Sequence, residues 1–235
     1  MAETTDTTIA TPHRRLDAYV ATPEGAGPWP GVVVLHDILG LTPVARGHAD
    51  WLAGEGFLAV VPDLFTGGGR VRCIRAIFRA MAARSGPAFD EVSAVRDWLR
   101  ARPECSGKVG VIGFCMGGGF ALLLAGEGGY DAASVNYGEV PDDVEALLAG
   151  ACPIVGSFGA KDRLFRGGAA RLERAARAAG LAHDIKEYPE AGHSFMDDHK
   201  GLFMRLARVA IGGYRAKEAA DARARIVRFF RAHLG

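Results

Sequence analysis

Residues 109–120 read "VGVIGFCMGGGF". A strand-like run, "VGVIG", passes directly into Phe114, Cys115, Met116 and a run of glycines, and a helical stretch, "FALLLAG", follows. A strand that becomes a helix this abruptly folds back sharply, which lifts the side chain at the apex above the sheet. The turn holds its central residue in an unfavourable backbone conformation and leaves no room for bulk two positions away on either side. Gly113 and Gly117 fill those positions around Cys115, so the spacing is that of the GxSxG nucleophile elbow with cysteine in place of serine. The helix that follows would point its positive end at the sulfur and favour thiolate over thiol. Taken alone, the motif fits a buried apolar cysteine equally well.

Outward from the elbow, short β-rich runs bounded by Gly or Pro alternate with helical segments, the pattern of a parallel sheet wrapped by helices. The runs are "GVVVLH", "GFLAVVP", "KVGVIGF", "AASVNYG", "CPIVGSFG" and "HDIKEYP". The central ones are apolar without strict alternation, as in strands covered on both faces. "RRLDAYVA" near the start alternates and reads as an edge strand. "DEVSAVRDWLRAR" puts Val92, Val95 and Leu99 on one helical face with Asp90 as N-cap. "RCIRAIFRAM" does the same with Ile74, Ile77, Phe78 and Met81, and "ARARIVRFFRAHL" closes the chain as an amphipathic helix.

The 235 residues, 49% hydrophobic and 23% charged, are enough for one sizeable core, and no linker divides them. The expectation is a single α/β domain over 1–235. A net charge of +1 offers no concentrated basic face for nucleic acid or an acidic membrane. The start has no apolar signal core and no later run reaches membrane-span length, which points to a soluble cytoplasmic protein acting on a small molecule. Cys73, Cys105, Cys115 and Cys152 show neither CxxC pairing nor metal-ligand spacing with histidine, so free thiols and no metal site are expected. "FTGGGR" and "MGGGF" match neither a P-loop nor a dinucleotide fingerprint. Composition does not choose between a monomer and a homodimer.

Two downstream features bear on Cys115. In "PIVGSFGAKDRLF" an acid, Asp162, follows an apolar strand, and in "YPEAGHSFMDD" His193 follows the next strand. Nucleophile, acid and base in this order, on loops after successive strands, is the arrangement of an α/β hydrolase. His193 would hold the thiol proton and Asp162 would fix the imidazole tautomer. Asp184, Asp197 and Asp198 are weaker candidates for the acid; His36, His48 and His199 are rival bases. "VVVLHDILGL" ends a strand where such a fold supplies one oxyanion N–H, here Ile38, with Met116 as the second donor. Asp37 lies beside Ile38; as local sequence it reads as a capping or loop residue.

At these residues the chain resembles the dienelactone hydrolase family over nearly its whole length, through "GFCMGG", "GAKD", "EAGHSF" and "VVPDLF". The resemblance implies an α/β-hydrolase fold, its mostly parallel central sheet flanked by helices on both faces, with a Cys-Asp-His triad. It implies hydrolysis of an ester or lactone through a thioester on Cys115, without metal or organic cofactor. It also implies a Glu that contacts the resting cysteine, at the place where Asp37 stands. Family members proper bind a substrate carboxylate with two arginines. The first could be Arg72 or Arg75, which read equally as a solvated helix face. The second, shortly after the catalytic histidine, is replaced here by Ser194, Phe195, Met196, Asp197 and Asp198. A carboxylate-bearing substrate would lose a bidentate partner and meet repulsion. The rival reading is a non-catalytic or redox-responsive α/β protein that uses Cys115 as a reactive thiol. Residues 201–220, a helical pattern broken by a Gly pair, read as a lid or a packed surface connection.

Overall fold

The computed structural model describes residues 2–199 and 212–235. Its strands are β1 (Glu3–Ala10), β2 (Arg15–Thr22), β3 (Trp29–Leu35), β4 (Leu58–Pro62), β5 (Cys105–Phe114), β6 (Ala132–Asn136), β7 (Ile154–Gly159) and β8 (His183–Tyr188). They form one sheet in the order β1-β2-β4-β3-β5-β6-β7-β8. From β4 to β8 all neighbours are parallel; β2 runs antiparallel to both β1 and β4. The helices are α1 (Pro43–Gly54), α2 (Arg70–Ala83), α3 (Pro87–Arg100), α4 (Met116–Glu127), α5 (Val144–Leu147), α6 (Gly168–Ala178) and α7 (Ala216–Leu234).

The expected runs without alternation are explained by two cores, one on each sheet face. Val33 and Leu35 of β3 join α2, α3, α4 and α6 in one core, whereas Val32 and Val34 join α1 and α7 in the other. From Gly31 to Leu35 every residue of β3 is therefore buried, as crossover helices on both faces require.

Three sequence expectations are corrected. The stretch "RRLDAYVA" is not an edge: β2 is paired on both sides, and β1 is the edge. The β1 sequence, "ETTDTTIA", buries only Ile9, so it has no apolar pattern; its threonines suit a pleated strand and backbone pairing to β2 places it. Helix α3 starts earlier than Asp90: Gly86 is its N-cap and Pro87 opens it, and Asp90 sits in the first turn. Helix α2 buries Cys73, Ile77, Ala80 and Met81; Phe78 is 42% exposed and Ile74 half-buried, so the packed stripe is rotated from the expected one. Helix α7 contains "ARARIVRFFRAHL" and begins before it, at Ala216. Among the described residues no helix is long and apolar enough to cross a membrane.

Candidate active site

Strand β5 ends at Phe114 and α4 begins at Met116, leaving Cys115 alone in the turn with φ 55° and ψ −115°. A non-glycine residue seldom adopts this conformation, and it persists only where the surroundings enforce it. Here a Cβ on Gly113 would meet the Gly117 carbonyl, and one on Gly117 would meet the Leu35 carbonyl. Asn136, at the end of β6, straps the turn: its carbonyl accepts from Cys115 N–H (3.1 Å) and its Nδ2 donates to the Gly113 carbonyl (3.1 Å).

Asp162 and His193 lie on the loops after β7 and β8, the next two strands in space beyond β6. Asp162 Oδ1 accepts from Leu164 N–H (2.8 Å), which turns Oδ2 toward His193 Nδ1, also at 2.8 Å. His193 Nε2 is 3.0 Å from Cys115 Sγ. The imidazole is buried, with Tyr137 and Phe165 at ring-centroid distances of 5.5 and 5.6 Å. Burial, the largest single influence, pushes its pKa down; the hydrogen bonds and charges of Asp162 and Cys115 together outweigh it and carry it up to about 10. Cys115 is half-buried, whereas Cys73, Cys105 and Cys152 are buried; all are free.

A match to the family model described as the dienelactone hydrolase family runs over residues 16–234. The chain belongs to the dienelactone hydrolase family. A relative, the carboxymethylenebutenolidase of Pseudomonas putida, is 30% identical over 222 residues, covering 90% of this chain and 89% of its own. Among solved structures, a dienelactone hydrolase-like promiscuous phosphotriesterase from metagenomic libraries has a TM-score of 0.86 at 24% identity, covering 100% of this chain and 99% of its own. The dienelactone hydrolase of Anabaena variabilis has a TM-score of 0.71 at 21% identity, covering 100% and 99%. These two likenesses bear on the fold.

Within this dienelactone hydrolase frame the rival acids and bases have other partners. His36 is buried; its Nε2 accepts from Leu64 N–H (3.1 Å), so its proton sits on Nδ1 and goes to the Asp37 carbonyl (2.7 Å). Burial lowers its pKa and keeps it neutral. Asp184 is bound by Arg225, and Asp198 is exposed. The remaining three, together with Asp37, form two pairs missing from the sequence reading. Asp37 Oδ2 lies 2.8 Å from His199 Nε2, and Asp197 Oδ1 lies 2.8 Å from His48 Nε2. Asp37, Asp197 and His199 place ligand atoms within 4.8 Å of one another, a spacing that could hold a metal, but each carboxylate already has an imidazole at hydrogen-bond distance.

Ile38 lies on the loop after β3 and Met116 opens α4; no acceptor for either backbone N–H is found among the described residues. Arg72 and Arg75 are exposed on α2 and line an open hollow of about 600 Å³ with Arg70 and Arg79; no triad residue borders it. Of the stretch 201–220, residues 201–211 lie outside the described part. Gly212 approaches the backbone of Gly192 and His193, Arg215 N–H donates to the Phe195 carbonyl (2.9 Å), and Ala216 starts α7. Sequence reasoning also passed over Asn136 and Tyr137; the signal was a polar Asn closing the strand-like run "AASVN".

Proposed function

We propose that the chain is a cysteine-dependent hydrolase of a small ester or lactone. The observation that carries this reading is the unbroken run of hydrogen bonds from Asp162 through His193 to Cys115, 2.8 and 3.0 Å, ending on a thiol at the head of a helix. The Cys115 thiolate adds to the carbonyl carbon, and the carbonyl electron pair moves to oxygen, which the N–H groups of Ile38 and Met116 hold. Collapse of this adduct breaks the bond to the alcohol oxygen, which takes the proton from His193 Nε2 and leaves a thioester on Cys115. Water then gives a proton to His193 Nε2 and attacks the thioester carbonyl; the second collapse releases the acid and restores the thiolate. Asp162 accepts a hydrogen bond from Nδ1–H throughout and keeps Nε2 facing the sulfur.

The substrate is neutral at the end next to the His193 loop. Asp197 is buried and engaged by His48, Asp198 is exposed, and no cation stands between Ser194 and Asp198 to receive a carboxylate. Wild type, Cys115→Ala, Asp162→Ala and His193→Ala are assayed on short aryl esters and on neutral and carboxylate-bearing lactones. Wild type should turn over the neutral compounds, forming an acyl adduct on Cys115 visible by mass spectrometry, and Cys115→Ala should lose at least ~10³-fold in kcat. Full activity in Cys115→Ala would sink the mechanism. A strong preference for the carboxylate-bearing lactone would sink the substrate assignment. The redox-thiol alternative predicts oxidation of Cys115 without turnover of any ester.

A further inference from the structure

The two Asp–His pairs beside the triad are crossed. The segment after β3 contributes an acid, Asp37, and, from α1, a base, His48; the segment after His193 contributes an acid, Asp197, and a base, His199. All four side chains are buried. Each pair therefore ties the segment carrying the Ile38 N–H to the segment carrying His193, and each sets an imidazole beside a carboxylate that would be costly to bury alone. Asp37 also shapes its own loop: Oδ1 accepts from Leu39 N–H (2.7 Å), and its carbonyl accepts from His36 Nδ1 (2.7 Å) and from Gly40 N–H (3.3 Å). On the other side Asp197 N–H donates to the Ser194 carbonyl (3.0 Å), closing the turn next to His193. His48 stacks on Phe114, the residue before the nucleophile, at 3.8 Å between centroids and 6° between planes.

We infer that Asp37 and His199 are positioning residues: their close contact sets the Ile38 N–H against the Cys115 elbow and the His193 loop, while the His48–Asp197 hydrogen bond holds the same two segments. The pair acts on the oxyanion and not on the ionisation of the sulfur. Asp37 Oδ2 lies 2.8 Å from His199 Nε2, and among the described residues Cys115 Sγ has His193 as its hydrogen-bond partner. Donors aimed at a developing oxyanion stabilise it only where their placement is already set, and losing one such donor costs ~10²–10³-fold in kcat. Displacing it should cost somewhat less.

The inference rests on the hydrolase reading, and its test separates the two. Asp37→Asn removes the carboxylate and His199→Gln the imidazole of the pair. Each should lower kcat on a neutral aryl ester by ~10–100-fold, change KM by less than ~3-fold, and weaken a trifluoromethyl ketone by ~10–100-fold, because its adduct with Cys115 also carries an oxyanion. Alkylation of Cys115 by iodoacetamide forms no oxyanion, and its rate and pH profile should stay within ~2-fold of wild type. The double variant should lose no more than the worse single one, since both break the same pair. A changed alkylation rate or pH profile would overturn the inference, because Asp37 would then act on the thiol. Unchanged ketone affinity would overturn it as well. So would a loss of wild-type activity on chelation that zinc restores, which would make Asp37, Asp197 and His199 metal ligands.

If wild type reacts with iodoacetamide and the ketone but turns over no ester, the hydrolase reading fails and the ketone affinities still decide the positioning role. Should either substitution prevent folding, Asp37→Glu keeps the charge and moves it by one methylene. It should then give a several-fold loss in kcat and ketone affinity with alkylation unchanged; equal ketone affinity in Asp37→Glu and wild type would count against the inference.

Discussion

His193 stands between a carboxylate and a sulfur, and that setting makes its proton hard to remove. Its folded pKa, about 10, lies above the 6.5 of the free side chain, so the native state binds the proton more tightly than the unfolded chain does. The resulting stabilisation is fully present below pH 6.5 and is lost as the pH rises through about 10. In Asp162→Asn the side chain keeps its shape but not its charge. Its stability deficit against wild type should be greatest at neutral pH and shrink toward pH 10, as urea midpoints across that range would show. A deficit that grows with pH would mean that His193 is held neutral. The same substitution should lower kcat by ~10⁴-fold through loss of the correct tautomer. Cys115, Asp162 and His193 were each legible because residue types of distinct chemistry occur in a required order. Asp37, His48, Asp197 and His199 were not paired by sequence, since each partner lies more than a hundred positions away and no local pattern links them.

Elements place these residues, and the glycines of "CMGGGF" show how tightly. A Cβ on Gly117 would be forced into the carbonyls of Leu35 and His36, and one on Gly118 into that of Asn136 at 2.5 Å, so β3 and β6 can approach the helix only there. On Gly119 a Cβ would meet the Met81 methyl at 3.1 Å and the Glu139 N at 3.3 Å, a much milder contact whose first partner is the free end of a flexible side chain. Gly117→Ala should therefore cost more than ~3 kcal/mol or yield no soluble protein. Gly119→Ala should stay within ~1 kcal/mol of wild type, because the gain in helix propensity offsets the contact. Urea denaturation of the two variants checks the contrast, and equal midpoints would refute it. The central strands were read from their apolar runs. The edge strand β1 and the true face of α2 were not, because a Thr-rich strand carries no hydrophobic signal and a helix rich in Arg and Ala presents more than one plausible stripe.

At the scale of the whole molecule, buried ion pairs knit distant segments around the two cores. Arg14, in the β1–β2 turn, reaches Glu91 of α3 with Nε at 2.7 Å and Nη2 at 2.8 Å, and also donates to the carbonyls of Leu64 and Thr66. Glu91 is almost sealed from solvent, whereas Arg14 is partly open. Arg14→Ala should cost about 3 kcal/mol, the lower end for breaking a buried pair, since water can enter from the arginine side. Replacing both residues, Arg14→Met with Glu91→Leu, should recover most of that loss in thermal denaturation; no recovery would show that the carbonyl contacts carried the cost. The amino-acid sequence by itself determined the strand-helix alternation, the elbow at Cys115 and the order of acid and base, because these depend on neighbours a few positions apart. Only the tertiary structure decided that β2 lies inside the sheet, that Arg72 and Arg75 line a hollow bordered by none of Cys115, Asp162 and His193, and that two Asp–His pairs join the loop of Ile38 to the loop of His193. Those outcomes depend on which segments the sheet order brings together, and contacts across the sheet leave no periodic trace in the chain.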